Sequence, residues 1–556
     1  MFGRAEAFGD RTAAAANVAA LAPGIPGPAG FFTGETVSDA APSGAAPQAA
    51  PAMQLLSGTA NIMPGAGGAV GAPVAASAAA TEIASLVKVD PAALARRNAA
   101  ATSAAAGAAA AVGADGRRRV RVLFCGTHPI GQSNGYSRVT YYICKHLGVY
   151  DDIALTLYGF QKFAQTEGSD ARNDIPPNVK LHDALATENP RRHGFGEKEI
   201  AGYIRENPQD IVIIFNDPMV TTALTQTIVN DLTPAERRSF KLVSYADQVY
   251  PYQKPNYMQL LNTHFDAVVA FTPYWRDTIH ELGLRKTMPT YFFPHGFDSK
   301  RYFPIPRKLA RLYYNLAPPS EAFIVLQLNR NQPRKRLDQT MIAWADVVAR
   351  HVALKKARSP TNQPKMIQLM IGTQMNGCWN LGEIFENELR RRGISAEVGR
   401  QYIVSLAKPQ QMSDRDINIL YNACDIGVNN CSGEGWGLTS SEHGAIGCPQ
   451  VAALVGGHRE FMKDGVTSQL IKPKWNFYVD TTQDGIGGLA EVGDPADYAD
   501  AIWKYYTTPA LVCKHGAASR SEILQHYRWE TVVAHFHGIL TELGGATAVA
   551  APPAVA

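Results

Sequence analysis

The chain has 556 residues, with 53 Lys and Arg against 49 Asp and Glu and a formal net charge of +4. A balance so close to neutral leaves no basic footprint for nucleic acid and no acidic solvating tail. Composition also excludes collagen, a coiled coil and a disulfide scaffold, and no long, strongly apolar run reads as a membrane span.

Residues 1–116 hold four aromatic residues (Phe2, Phe8, Phe31 and Phe32) and twelve charged ones. Rich in Ala, Gly and Pro, this segment has too little large apolar surface to offset its ordering entropy, so it reads as a flexible, disordered low-complexity extension. Its opening, MFGRAEAFGDRT, lacks a basic stretch followed by a leucine-rich core, so no secretory signal is expected. Seven cysteines without a Cys-x-x-Cys pair fit reduced thiols better than a zinc ribbon. The expected location is cytoplasmic, either soluble or in peripheral contact with a membrane.

From residue 119 the pattern changes. Short apolar runs alternate with amphipathic stretches: VRVLFC (120–125), then SRVTYYICKHL (137–147), IALTLYGF (153–160), EKEIAGYIREN (197–207), DIVIIF (210–215), FKLVSYA (240–246), DAVVAF (266–271), PYWRDTIHEL (273–282) and TYFFP (290–294). Continuous apolar strands separated by helices predict a parallel α/β sheet covered on both faces. A Pro-rich, charged stretch, PHGFDSKRYFPIPRK (294–308), suits a hinge.

The pattern then restarts with AFIVLQL (322–328), a helix over 336–356, MIQLMIG (366–372), YIVSLA (402–407), DINILYNA (416–423), DIGVNN (425–430), a helix over 437–447 and QVAALV (450–455). Helices are expected over 495–507 and 529–542. The predicted architecture is two Rossmann-like, doubly wound domains, 117–305 and 306–545 with the terminal helices, followed by a flexible tail at 546–556. Such domains face one another across a cleft at the carboxyl ends of their strands, where ligands bind in open α/β sheets.

Three segments sit at such strand ends. GTHPIGQSNGYSR (126–138) is a Gly-rich loop before a helix, which fits an anion cradle and a tight turn equally well. NRNQPRKRLD (329–338) gathers Arg330, Arg334, Lys335 and Arg336, fixed cations of the kind that neutralise a diphosphate without a metal. NNCSGEGWGLTSSEHGAIGCP (429–449) places Glu434 in a loop and Glu442 on the following helix, both expected at the cleft mouth. A carboxylate there accepts two sugar or ribose hydroxyls at once, and the helix N-terminus favours phosphate. Cys431 is expected to be a buried thiol, and His295 to shape the linker turn. Tyr250, Tyr252 and Tyr257 are candidates for the acceptor side. His535 and His537 are too poorly aligned for a metal site.

Glu434-x7-Glu442, Arg330 with Lys335 five residues on, and GGHREFMKDG (456–465) together resemble the retaining nucleotide-sugar glycosyltransferases of family 4, of GT-B fold. FPHGFDSKRYFP (293–304), GDPADYADAIWKYYTTPAL (493–511) and YRWE (527–530) are similar to that family's linker and C-terminal helices. The resemblance covers 119–542 and is densest in the second domain. It implies that Arg330 and Lys335 bind the donor diphosphate, that Glu434 contacts the transferred sugar and that Glu442 contacts the ribose. Gly435, Gly437 and Leu438 then line the donor pocket, and Gly135 belongs to the first glycine loop.

Asp247 follows a strand where the family often has His-Asp. Ala246 stands at the His position, leaving Asp247 as the candidate at the reaction centre. The implied reaction is transfer to an acceptor hydroxyl with retention by front-face attack, without metal or cofactor. The acceptor is an unspecified glycan, lipid or protein. A nucleotide-sugar epimerase on the same fold and a non-catalytic sugar- or nucleotide-binding protein are the alternatives. Release of sugar from the nucleotide discriminates the transferase from both.

Overall fold

A computed structural model describes residues 118–545, apart from 131–133, 164–171, 173, 190–192, 253, 407–411 and 481–485. The 1–116 extension, the 546–556 tail and Gly131 lie outside the described residues.

In the first half, β1 (Val120–Thr127), β2 (Ile153–Phe160), β3 (Lys180–Asp183), β4 (Ile211–Asn216), β5 (Lys241–Ala246), β6 (Ala267–Ala270) and β7 (Thr290–Phe292) form one sheet in the order β3-β2-β1-β4-β5-β6-β7. Every pairing in it is parallel. The reason is visible in β4, where all six residues of IVIIFN are buried. Such a strand needs cover on both faces, and the crossover helices supply it.

The second half repeats the plan. Here β8 (Ala322–Gln327), β9 (Met366–Ile371), β10 (Ile403–Ser405), β11 (Ile426–Asn429), β12 (Gln450–Ala453) and β13 (Gln469–Ile471) run in the order β10-β9-β8-β11-β12-β13. Again all pairings are parallel. In both sheets the order reverses beside the first strand, which opens a crevice at the carboxyl edge.

Local chemistry sets the helix starts at that edge. Asn134 caps the helix Gly135–Leu147 by accepting from the Ser137 N–H, and Lys145 and His146 sit in its last turn, where the dipole favours cations. Asp217 caps Pro218–Asp231 by accepting from Met219 and Val220, with Pro218 at the first helical position. Ser413 and Asp416 close a capping box at the start of Asp414–Ala423.

Two features depart from the sequence expectation. The helix Trp529–Leu543, assigned above to the second domain, crosses back onto the first: Trp529 stacks on Tyr142 with ring centroids 4.8 Å apart, and Phe536 on Phe293 at 4.3 Å. Trp529, Val533, Phe536 and Leu540 are all buried, so its apolar stripe is consumed by the first domain. The other feature is an unforeseen antiparallel hairpin, β14 (Trp475–Val479) with β15 (Gly488–Val492). Glu491 N–H donates to Ser432 O at 2.9 Å, which sets the hairpin beside the loop after β11. All seven cysteines are free thiols.

Candidate functional site

The basic loop leaves β8 and ends in a single 3-10 turn, Pro333–Lys335, before the helix Leu337–Lys356. Arg336 takes a left-handed backbone, φ 46°, at the junction. That turn aims Arg334 and Lys335 at the loop after β11. Ser432 N–H donates to Arg334 O at 2.9 Å, and Arg334 Nη1 donates to Gly433 O at 2.9 Å. The Lys335 ammonium hydrogen-bonds one oxygen of Glu434, and Arg334 lies 3.4 Å from the other.

Burial pushes the Glu434 carboxyl up, but Lys335, then Arg334 and His458, outweigh it and hold the pKa at about 2. Lys335 is lowered by burial and by Arg334, against the pull of Glu434. Each is the other's direct hydrogen-bond partner.

Arg330 differs from its neighbours. Its side chain reaches solvent, and no hydrogen-bond or ion-pair partner for its guanidinium is found among the described residues. Its pKa is nevertheless lowered, first by burial and then by Arg334. Its charge is thus set beside another cation just past the end of β8. This is an unsatisfied positive charge in a place suited to an anion.

The expected donor glycines lie where the two halves meet. Gly435 O accepts from Trp275 Nε1 at 2.8 Å, and a Cβ on Gly435 would stand 2.6 Å from Asp247 Oδ1. Only hydrogen fits there. Gly437 has φ 100° and starts the helix Leu438–Ala445, so its backbone is one that L side chains rarely adopt. A Cβ on Gly135 would be 3.4 Å from Leu438 Cδ1, so the first glycine loop faces that helix start directly.

Across the cleft, Asp247 follows β5 and accepts from the Tyr136 hydroxyl. Burial raises its pKa, opposed by Tyr136 and Arg334. Asn216 pairs in register with Ala246, so Asp217 and Asp247 each lie one residue beyond adjacent strand ends. Burial lifts Asp217 to about 6, and Asp247 adds to it, against its two backbone caps. The Ala246 side chain is buried and carries no chemistry.

Glu442 does not face the cleft mouth. It is 3% exposed, and both its oxygens are engaged. Arg138 Nη1, from the first domain, donates to Oε1 at 2.7 Å and to Oε2 at 2.9 Å, and the Tyr421 hydroxyl donates to Oε2 at 2.9 Å. Arg138 Nη2 also reaches Asp414 at 3.3 Å, and Asp414 accepts from Arg301 at 3.2 Å and Tyr302 at 3.1 Å. The helix position of Glu442 is as expected; the reason for its depth is this ionic network, whose partner lies 304 residues away.

Among the residues treated lightly above, Cys431 is buried and burial pushes its thiol up. His295 is buried with neither ring nitrogen bonded, and burial lowers it to about 3. It packs at 4.5 Å on Phe271 and 6.0 Å from Trp436, so it wedges the domain junction as well as the linker turn. Tyr250 and Tyr257 are buried, and Tyr252 is exposed. His537 bonds Asp152 at 2.8 Å. Among the described residues one trio, Cys431, Glu434 and His458, could bring three ligand atoms within 4.8 Å of one another. Lys335 already bonds the carboxylate of that trio.

Sequence reasoning left Arg334, Tyr136 and Asp217 out of the site, and held Arg138 only as the next place to seek the phosphate site should the basic loop fail. Arg334 was visible as one of four clustered cations. Asp217 carried a signal of its own in Asn-Asp-Pro, a cap before a helix Pro at a strand end.

Residues 315–484 match the family model described as Glycosyl transferases group 1. A D-inositol 3-phosphate glycosyltransferase of Actinosynnema mirum is 27% identical over 254 residues, 46% of this chain and 54% of that protein. The alpha-1,3/1,6-mannosyltransferase of Homo sapiens is 22% identical over 293 residues, 51% of this chain and 58% of that protein. The chain thus spans about half the length of the curated relatives it matches. Among solved structures, sucrose-phosphate synthase from Thermosynechococcus elongatus superposes with a TM-score of 0.56 at 16% identity, covering 77% of this chain and 100% of that one. Anabaena HepE in complex with UDP-glucose gives 0.53 at 16% identity, covering 76% and 100%. The shared fold is GT-B. No helix among the described residues is long and apolar enough to cross a membrane.

Proposed function

We propose that this chain, a GT-B protein with a group 1 glycosyl transferase domain over residues 315–484, moves a sugar from a nucleotide-diphospho-sugar to an acceptor hydroxyl with retention of configuration. The observation that carries this reading is Arg330: a guanidinium with no partner among the described residues, beside Arg334, at the carboxyl edge of the second sheet. Breaking the anomeric bond puts negative charge on the departing diphosphate. Arg330 and Lys335, with the N–H groups that open the helix at Leu438, stabilise that charge as it grows. They supply the role a divalent metal plays elsewhere, so the reaction needs none.

Glu434, whose pKa Lys335 and Arg334 hold at about 2, accepts hydroxyls of the transferred sugar as the diphosphate draws Lys335 away from it. Glu442, bonded by Arg138 and Tyr421, accepts from the ribose as Tyr421 turns away. Asp247, steadied by Tyr136, orients the acceptor from the first domain. The acceptor proton passes to a leaving phosphate oxygen in front-face attack. HepE was solved with UDP-glucose, so UDP-sugars are the first donors to test.

The test is a thermal-shift screen of nucleotide-sugars, followed by product analysis. A donor that binds only the folded state raises the melting temperature. Sugar appearing on an acceptor or on water with free nucleoside diphosphate supports transfer. Interconversion of sugars still attached to nucleotide, or binding without turnover, refutes it.

A further inference from the structure

We propose that Arg138, a residue of the first domain, is a positioning residue of the donor site in the second domain, and that ribose recognition by Glu442 depends on it. The inference rests on the function proposed above and adds a residue that lies outside the basic loop.

Glu442 sits on the helix Leu438–Ala445 and is 3% exposed. Burial raises its pKa, Asp414 raises it further, and Arg138 is the first of the influences that lower it. Arg138 is thus the main counter-ion of this carboxylate, opposing the burial that raises it, and an ionised carboxylate is the form that accepts two hydroxyls. Arg138 Nη1 also touches both oxygens, at 2.7 and 2.9 Å, which fixes the plane of the carboxylate. With Tyr421 on Oε2, three hydrogen bonds already point at Glu442. A carboxylate offers about four acceptor sites, so a cis-diol enters fully only as Tyr421 turns away, while Arg138 holds the group still.

The second contact of Arg138 explains why the guanidinium itself does not follow the ligand. Nη2 bonds Asp414 at 3.3 Å, and Asp414 is tied to Arg301 and Tyr302 of the interdomain linker. The guanidinium face also lies 5.7 Å from the centre of the Tyr302 ring. Arg138 stands one turn into the helix whose first residue, Gly135, faces Leu438. The cation therefore reaches Glu442 only when the two domains are apposed as they are here. Ribose recognition by this carboxylate is accordingly tied to that apposition.

The experiment titrates the full chain calorimetrically with UDP, GDP and ADP, each against its 2′-deoxy counterpart, and with inorganic pyrophosphate. The native chain should prefer the best ribonucleotide over its deoxy form by about tenfold, the value of one charge-assisted hydrogen bond. Arg138→Met should bring that ratio to within about twofold of unity while pyrophosphate affinity, read by the basic loop, stays within about twofold of native. Arg138→Lys keeps the charge without the fork and should retain an intermediate ratio.

An unchanged ratio in Arg138→Met, or no ribose preference in the native chain, overturns the inference and leaves the transferase reading standing. Should Arg138→Met not fold, Arg138→Lys decides: a native ratio there overturns it, and a reduced ratio with native pyrophosphate binding supports it. If the native chain binds neither nucleoside diphosphate nor pyrophosphate, the proposed function falls and this inference with it.

Discussion

Replacing Lys335 by Ala isolates the role of the basic loop. Lys335 is 13% exposed and bonded to Glu434, whose pKa it helps hold at about 2 against an ordinary 4.5. At 1.36 kcal/mol per unit, that shift is about 3 kcal/mol of preference for the ionised carboxylate. Without Lys335, burial of Glu434 is opposed mainly by Arg334, 3.4 Å away, so the carboxyl rises towards its ordinary value or above it.

The sign follows. The folded pKa of Glu434 lies below the unfolded one, so its contribution to stability is present above about pH 4.5 and is lost as pH falls towards 2. The stability gap between native and Lys335→Ala should therefore narrow over that window. Relief from burying the ammonium offsets part of the gap at neutral pH, because a buried ion pair contributes little net stability.

Turnover is the sharper readout. The leaving diphosphate gains charge in the transition state, so a cation there binds it more tightly than the bound donor. Losing one such donor costs about 2.7–4 kcal/mol, on the order of a hundred- to a thousand-fold in kcat. The donor's KM should move much less. The assay is steady-state release of nucleoside diphosphate with varied donor, and the control is Arg336→Gly. Arg336 bonds Asp338 instead of the site and has φ 46°, so glycine suits its backbone better than alanine. Equal, small losses of kcat in the two variants would refute the assignment and reduce the loop to a solvated surface.

Three further outcomes are expected. Arg330→Ala should weaken pyrophosphate and nucleoside diphosphate binding by about 1.5–3 kcal/mol in calorimetry, and, lacking a protein partner to lose, should change stability by less than about 0.5 kcal/mol. Asp217 is raised from 3.8 to about 6, so it costs stability increasingly as pH rises through that window. Asp217→Asn keeps a helix cap and should stabilise the chain by up to about 3 kcal/mol at pH 7, a gain that vanishes below pH 4 in denaturant titrations. Transfer should survive EDTA, because Arg330 and Lys335 carry the charge. Complete loss restored by manganese would count against that.

The strands of both sheets were legible because burial on two faces writes a continuous apolar run, as in IVIIFN and AFIVLQ. The hairpin 475–492 was not, since Trp475, Phe477 and Tyr478 are exposed and break the link between apolarity and burial. The helix Trp529–Leu543 was legible as a helix, but no local pattern says which domain takes its stripe. In the site, Arg330, Lys335 and Glu434 were readable because each lies just after a strand within a dense motif. Arg138 and Tyr136 were not, because their partners Glu442 and Asp247 lie 304 and 111 residues away. Long-range ion pairs leave no periodic trace, and Ser-Arg-Val reads as ordinary helix.

The pairing of charges bears on how the cleft is poised. Glu434 holds Lys335 and Arg334; Glu442 and Asp414 share Arg138, and Arg301 completes the balance. Each carboxylate holds its cation in place, and Glu434 opposes the burial that lowers the Lys335 ammonium. Removing one partner from such a pair costs about 3–5 kcal/mol, so these side chains stay fixed until a ligand offers an equal replacement. A diphosphate can do so for Lys335, and a sugar's hydroxyls can then satisfy the carboxylate it leaves. Neither ligand portion can make that exchange alone without stranding a buried charge. Arg330 is solvent-facing and has no partner among the described residues, so the diphosphate should engage it before Lys335 is drawn off Glu434. The energetic logic favours a donor that carries sugar and diphosphate together over either free product, and product release is then eased by restoration of the Lys335–Glu434 bond.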